Sequence, residues 1–81
     1  MNWGAYQFPK NLFIFKTDIE SFTQIQLVKE AFKAQQAITN WSVDIEDIDS
    51  VLRVEFKNNL LEKDVISIIR KIGCSCQVLD Y

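Results

Sequence analysis

The sequence predicts an α+β domain with the ferredoxin-like βαββαβ fold, in which two helices cover one face of a four-stranded antiparallel sheet. Three observations lead to this fold class. Short apolar runs have the length and alternation of strands, two segments repeat apolar residues at the helical period, and two neighbouring strands are joined by a short acidic turn. The chain has 81 residues, a length that suits one domain.

The first strand is predicted over residues 11–17, because the apolar run NLFIFKT ends in polar residues and suits a central strand. Residues 1–10 precede it and carry three aromatic side chains with no clear period. We therefore divide the chain into an N-terminal aromatic extension, residues 1–10, and a single domain, residues 11–81. The extension either packs over the edge of the domain or serves as a docking arm for a partner or a second copy.

The first helix is predicted to begin at Ser21. Two adjacent segments, Thr17 to Glu20 and Ser21 to Gln24, match a capping box, in which Ser or Thr caps the helix and Glu or Gln reaches back to the cap. Ser21 is the better N-cap, because the apolar stripe of an amphipathic helix begins soon after it. That stripe consists of Ile25, Val28, Ala31 and Phe32, widened by Leu27.

A β-hairpin is predicted next, since two runs alternate apolar and polar residues on either side of an acidic segment. The apolar members are Trp41, Val43 and Ile45 in the first run and Leu52, Val54 and Phe56 in the second. The acidic segment DIEDID, residues 44–49, lacks the glycine that a calcium-binding loop needs at its sixth position. We therefore interpret it as a solvated hairpin tip.

The second helix and the last strand complete the pattern. Asn59 and Glu62 form a further capping signal, and Gly73 stands where a left-handed residue commonly ends a helix. The helix between them has one apolar face, formed by Leu61, Val65, Ile68, Ile69 and Ile72. The closing segment CSCQVLDY is predicted to be a short final strand.

The charge of the chain argues against binding to nucleic acids. Its net charge is −2, and the lysines and arginines are scattered instead of forming the basic patch that releases counterions from nucleic acid. No apolar stretch approaches the ~20 residues that span a bilayer, and the N-terminus lacks the pattern of a secretory signal. We therefore expect a cytoplasmic protein without membrane contact.

The residue composition also argues against an enzyme. The chain contains no histidine, which removes the commonest general base and every Ser-His or Cys-His arrangement within one chain. Glycine-rich phosphate loops are absent from the sequence as well, because its two glycines lie far apart, at Gly4 and Gly73. No catalytic residues are assigned.

Cys74 and Cys76 are the remaining residues with metal chemistry. One residue apart in a strand, they share a face at a separation that strains a disulfide, so we interpret them as free thiols. Two thiolates suit Cu(I), whereas zinc usually needs three or four protein ligands. The alternative is that one or both are small buried core residues, because free cysteine is often buried.

Residues 12–79 resemble the heavy-metal-associated domain, the fold of small copper chaperones and of the N-terminal repeats of copper-transporting ATPases. The resemblance rests on FKTDI before the metal loop of that family, on VKEAF in the first helix, on the hairpin ITNWSVDIEDIDSVLRVEF and on IIRKIGCSCQVL near the end. It implies the βαββαβ fold. In the family, a C-x-x-C motif on the loop before the first helix binds the metal.

Ser21 and Gln24 stand at the positions of those two cysteines, so the resemblance implies a degenerate metal motif. It favours a protein-interaction module that has no cofactor. The expected partner is another protein, and a homodimer is the other option. The alternative is binding or transfer of a soft metal, copper or zinc, through Cys74 and Cys76. Cys74 follows the glycine in a loop that lies beside the metal loop in the family fold. A small-molecule sensor is a third hypothesis, because ferredoxin-like domains serve many functions.

Overall fold

The computed structural model describes residues 11–79, and the predicted aromatic extension over residues 1–10 lies outside the described residues. The elements follow in the order β1 (Leu12–Thr17), α1 (Phe22–Lys33), β2 (Ile38–Asp44), β3 (Val51–Phe56), α2 (Glu62–Lys71) and β4 (Cys76–Val78). This is the predicted order of strands and helices, with boundaries that differ from the predicted ones by a few residues at most.

All four strands form one antiparallel sheet in the order β2-β3-β1-β4. The central strand β1 pairs with β3 on one side and with β4 on the other, so that Phe15 lies opposite Leu52 and Val78. The sheet and the two helices form the ferredoxin-like βαββαβ sandwich, and the predicted fold class is confirmed. β2 and β4 are the edges of the sheet.

The core lies between the sheet and the helices. Phe15 in β1 and Leu52 and Val54 in β3 are fully buried, as are Val28 in α1 and Val65 and Ile69 in α2. The helix residues belong to the apolar stripes predicted from the sequence. Since alternate strand residues point to one face of a sheet, the same period that predicted the strands also places their apolar side chains against the helices.

The two helices begin differently. Ser21 caps α1 as predicted, with the full capping box in place. The predicted cap of α2 at Asn59 is wrong, because the helix begins at Glu62 and its N-cap is Leu61, whose side chain has no oxygen. Asp64 compensates in part, since its Oδ2 accepts a hydrogen bond from the Leu61 N–H at 2.9 Å. The chain turns at Asn58 with a φ of 63° and buries Leu60, which delays the helix start.

Three connections meet at one end of the sandwich, which we call the loop end. They are the β1–α1 loop (residues 18–21), the β2–β3 turn (residues 45–50) and the α2–β4 loop (residues 72–75). The antiparallel order brings them together, since β1 ends where β3 and β4 begin. None of the helices within residues 11–79 is long and apolar enough to cross a bilayer.

Hydrogen bonds tie these three connections to one another. The Thr17 N–H donates to the carbonyl of Asp49 at 3.0 Å, and the Thr17 hydroxyl donates to the carbonyl of Ser50 at 2.7 Å. On the other side, the Ser75 N–H donates to Asp18 Oδ1 at 2.9 Å. The β1–α1 loop is therefore held between its two neighbours, and the loop end is one continuous surface.

Candidate functional site at the loop end

Ser21 and Gln24 use their polar atoms to start helix α1. The Gln24 N–H donates to Ser21 Oγ at 3.2 Å, while Gln24 Oε1 accepts from the Ser21 N–H at 3.1 Å and from the Glu20 N–H at 2.8 Å. These bonds satisfy backbone donors that a helix start otherwise leaves unpaired. The predicted degenerate positions thus hold the backbone in place and present no soft ligand.

Cys74 lies directly against this capping box. The end of α2 positions it through a Schellman motif, in which the Gly73 N–H donates to the carbonyl of Arg70 at 3.0 Å and the Cys74 N–H donates to that of Ile69 at 3.2 Å. Gly73 has a φ of 91°, the left-handed conformation that this motif requires. The chain then brings Cys74 Sγ to 3.7 Å from Gln24 Nε2.

The Cys74 thiol is disfavoured as a thiolate. Its side chain is buried, and this burial raises the pKa above the ordinary value of 9.0. The nearby Asp18 carboxylate raises the pKa further, and the hydrogen bond from Gln24 opposes both effects. The thiolate is the form that binds metals and attacks electrophiles, so the raised pKa of Cys74 disfavours both reactions at neutral pH.

Cys76 is a core residue at the start of β4, opposite Thr17 in β1. It is 3% exposed, and burial raises its pKa to about 12, although the Arg70 guanidinium favours the thiolate and Cys74 opposes it. Of the two interpretations of the cysteines, the geometry of Cys76 corresponds to the small buried core residue. Both cysteines are free thiols.

The described residues do not form a ready metal site. Within residues 11–79, no group of three or more His, Cys, Asp or Glu side chains is placed to hold an ion. The two sulfurs would have to lose protons whose pKa values burial has raised, and Cys76 points into the core. A two-sulfur Cu(I) site at Cys74 and Cys76 would therefore need the α2–β4 loop to rearrange.

The two most exposed apolar side chains at the loop end were not predicted from the sequence. Ile45 is exposed there as well, at 36%, because β2 ends at Asp44 and leaves it in the turn, although the sequence placed it in the first alternating run of the hairpin. Phe22, the first residue of α1, is 80% exposed, and Ile48, in the β2–β3 turn, is 96% exposed. The exposure of Ile48 could have been predicted, because the residue falls in the acidic hairpin tip, outside both of the alternating runs that contribute to the core. Phe22 gave no such signal, since it stands three residues before Ile25 and so continues the apolar stripe of the helix.

Carboxylates are concentrated in the same connections of the chain as these two apolar side chains. Six of the eleven acidic residues of the chain lie on the loop end or immediately before its turn: Asp18, Glu20, Asp44, Glu46, Asp47 and Asp49. Lys16 forms an ion pair with one of them, Asp49 Oδ1, at 3.5 Å. Arg70 and Lys71 stand in the last turn of α2, where Arg70 lines a groove together with Lys16 and Asp18. The β2–β3 side of the loop end therefore combines exposed apolar area with negative charge.

Comparison with known proteins identifies the fold and little else. No protein-family model and no curated protein matches the chain. Among solved structures, the yeast copper transporter domain Ccc2a, studied in apo and Cu(I)-loaded states, is 14% identical with a TM-score of 0.72, covering 85% of this chain and 94% of that one. The Cu(I)-loaded first domain of the human copper chaperone for SOD1 is 13% identical with a TM-score of 0.70, covering 84% and 90%.

A third similar structure is the N-terminal domain of ZntA in its Zn(II) form, which is 18% identical with a TM-score of 0.67, covering 83% of this chain and 89% of that one. Another is the apo form of the HMA domain of the copper chaperone for superoxide dismutase, which is 12% identical with a TM-score of 0.70, covering 94% of this chain and 78% of that one. The resemblance predicted from the sequence is thus confirmed at the level of the fold. The chain has the fold of heavy-metal-associated domains, with Ser21 and Gln24 at the start of its first helix.

Proposed function

We propose that this chain is a non-catalytic protein-interaction module on the fold of a heavy-metal-associated domain, and that it docks through the loop end. The observation that carries the proposal is the exposure of Phe22 and Ile48 on one continuous surface. Large apolar side chains that stand almost fully in water gain free energy when a partner covers them, about 1.5–3 kcal/mol each. Aromatic residues of this kind commonly anchor interfaces.

The partner that this surface fits is a protein with an apolar socket bordered by lysine and arginine. Asp47 and Asp49 flank Ile48 in sequence, and Asp18 and Glu20 precede Phe22 on the adjoining loop. Opposite charges across an interface steer encounter and select the partner, and their effect weakens with added salt. One structure of the same fold is a domain of a chaperone for another protein, so the fold occurs in a protein that serves a protein target.

Affinity capture with matched variants tests this proposal. Immobilised wild type is compared with Phe22→Ser/Ile48→Ser and with Leu61→Ser, which removes an apolar side chain that is 50% exposed at the opposite end of the sandwich. We expect a partner retained by wild type and Leu61→Ser and lost by the double variant. Its binding should be reproduced with the purified partner and should weaken with salt.

Two results would count against docking through the loop end. One is that no protein is retained specifically by wild type. The other is that the double variant and Leu61→Ser retain the same proteins equally. Folding of both variants is checked by circular dichroism, so that loss of capture is not mistaken for loss of structure.

Soft-metal binding through Cys74 and Cys76 is the second candidate function. The observation that favours it is the position of Cys74, whose sulfur contacts Gln24, a residue that stands at one of the two metal-binding cysteine positions of the family. The raised pKa values and the burial of Cys76 oppose it. The proposed docking surface and the candidate metal site lie at the same end of the molecule, but they use different residues, so variants can distinguish them.

An anaerobic titration with Cu(I) against a competing chelator separates them, using wild type, Cys74→Ser/Cys76→Ser and Ser21→Ala. A parallel titration uses Zn(II). We expect wild type to bind no more metal than the double variant. Tight uptake that the double variant loses and Ser21→Ala keeps would instead establish a metal site moved from the first helix to the last strand.

A further inference from the structure

Within residues 11–79, strand β2 is an edge of the sheet, and it has few of the features that usually protect an edge. It runs for seven residues, ITNWSVD, and contains no proline, lysine or arginine, whereas the other edge strand, β4, has three residues. Natural edges are commonly kept short or carry lysine or proline, because an open row of backbone groups invites a further strand. A register irregularity between Ile38 and Asn40 interrupts only the beginning of β2.

The register of the β2–β3 ladder shows which backbone groups of β2 point outward. Lys57 donates its N–H to the carbonyl of Ala37 across this ladder at 2.8 Å. Arg53 lies four residues before Lys57, and this even spacing means that its backbone N–H and C=O groups also point toward β2. Its partner in β2 is Ser42. Since the direction alternates along a strand, the residues on either side of Ser42 direct their N–H and C=O groups away from the sheet.

Those two residues are Trp41 and Val43. The Trp41 N–H donates to the side-chain oxygen of its own neighbour, Asn40 Oδ1, at 3.0 Å. The side-chain carbonyl of Asn40 thus takes the place of the backbone carbonyl that, in an added strand, would accept the hydrogen bond from the Trp41 N–H. An incoming strand replaces this local bond with a ladder bond, so the exchange leaves the Trp41 donor paired in both states.

A groove of about 290 Å³ runs between this edge and helix α1. Its apolar floor contains Phe32 and Trp41, whose rings meet edge to face with centroids 5.4 Å apart. Lys29 and Lys33, one turn apart on α1, form its rim. Both lysines are exposed, and Lys33 also reaches the exposed carboxylate of Glu30 at 3.2 Å.

We propose that the β2 edge binds an extended, acidic segment of a partner protein by strand addition. The backbone of the segment would pair with Trp41 and Val43, an apolar side chain would lie over the Phe32–Trp41 floor, and carboxylates would meet Lys29 and Lys33. This is the recognition mode in which an edge strand supplies affinity and the neighbouring groove supplies specificity. The surface is separate from the loop end and does not depend on docking there.

A second copy of the chain fits this edge less well than an acidic segment does. Antiparallel pairing of two β2 strands about Trp41 would place the lysine rims of both copies, Lys29 and Lys33 in each, on the same face of the joined sheet and on either side of the new seam. Like charges placed in this way oppose association. A single extended segment meets both lysines without this conflict.

Panning a phage-displayed library of random linear peptides against the purified full chain tests the proposal. We expect enrichment of peptides that alternate apolar residues with Asp or Glu. Their binding should weaken by about tenfold or more in Lys29→Glu/Lys33→Glu. Lys63→Glu/Lys71→Glu, which makes the same charge change on α2, should bind as wild type does. Val43→Pro, which removes an outward N–H, should bind poorly while its circular dichroism remains that of a folded domain.

Amide chemical shifts locate the enriched peptide independently of these variants. We expect the largest changes at Trp41 and Val43 and small ones in β4. The proposal is overturned by enriched peptides without acidic residues, by equal binding to both charge-reversed variants, or by shift changes outside the β2 edge. Sedimentation that shows a wild-type dimer and a monomeric Val43→Pro variant would also overturn it, because a second copy would then be the occupant of the β2 edge.

Discussion

The two cysteines are expected to react slowly in the folded protein. Cys74 is 5% exposed and Cys76 is 3% exposed, and burial raises the pKa of each thiol. Since only the thiolate reacts, both low access and low thiolate fraction protect the sulfurs. With Ellman's reagent at neutral pH, native protein should be labelled far more slowly than protein in denaturant. Rapid labelling of both thiols in native protein would show that the α2–β4 loop opens readily.

Cys76 is also expected to make stability depend on alkaline pH. Burial in the folded protein raises the pKa of its thiol from the ordinary value of 9.0, which holds for the unfolded chain, to about 12. As the pH rises, the unfolded chain therefore loses this proton before the folded protein does. The contribution of the protonated Cys76 thiol to the free energy of unfolding is fully present below pH ~9 and is lost as the pH rises toward 12, by at most ~1.4 kcal/mol per pH unit. Urea unfolding of wild type and Cys76→Ala across this range measures the difference. Parallel pH profiles for the two proteins would contradict the assignment.

The start of α1 depends on the Ser21 hydroxyl. Ser21→Ala removes the acceptor for the Gln24 N–H and should lower the free energy of unfolding by about 0.5–2 kcal/mol. Thr23→Ala is the matched control, because Thr23 is exposed in the same turn and takes no part in the capping box. Urea denaturation that shows the same change for both variants would mean that the cap contributes nothing specific.

The end of α2 depends on Gly73. With a φ of 91°, the residue occupies a conformation that costs other residues ~1–2 kcal/mol, while an added methyl group would meet no atom within 4 Å. Gly73→Ala should therefore destabilise the protein by about that amount through backbone strain alone. Ser75→Ala, two residues later, should change stability by less than ~0.5 kcal/mol in the same urea experiment. Equal stabilities for Gly73→Ala and wild type would show that the loop relaxes.

Regular elements were predictable from the sequence because their signals are local. The apolar periods gave both helices and the hairpin, and the capping box at Ser21 fixed a helix start. The cap of α2 was mispredicted, since the burial of Leu60 is a tertiary effect that overrides the local pattern around Asn59. Contacts between distant segments, such as Gln24 with Cys74, depend on packing and have no sequence signal of their own.

The molecule as a whole separates its charges and its apolar surface between distinct regions. The β2–β3 turn carries carboxylates with Ile48 among them, and Phe22 lies at the start of α1 beside the β1–α1 loop, whereas Lys29 and Lys33 line the groove at the β2 edge. The net charge is only −2, so the contrast between the two surfaces comes from where the charged residues lie and not from an excess of one sign. Two docking surfaces of opposite sign would let one small domain hold a basic partner and an acidic segment at once.

Variants of Phe22 and Ile48 test docking through the loop end separately from folding, because both side chains are exposed and lie outside the core. Neither side chain contributes to the core, so Phe22→Ser/Ile48→Ser should change the free energy of unfolding by less than ~1 kcal/mol in urea denaturation. Val28→Ser, which places a hydroxyl at a fully buried position, should by contrast destabilise the protein by several kcal/mol. A double variant that unfolds as easily as Val28→Ser would mean that the two side chains stabilise this fold itself. A double variant that stays stable but no longer retains the partner would mean that the two side chains serve docking and not folding.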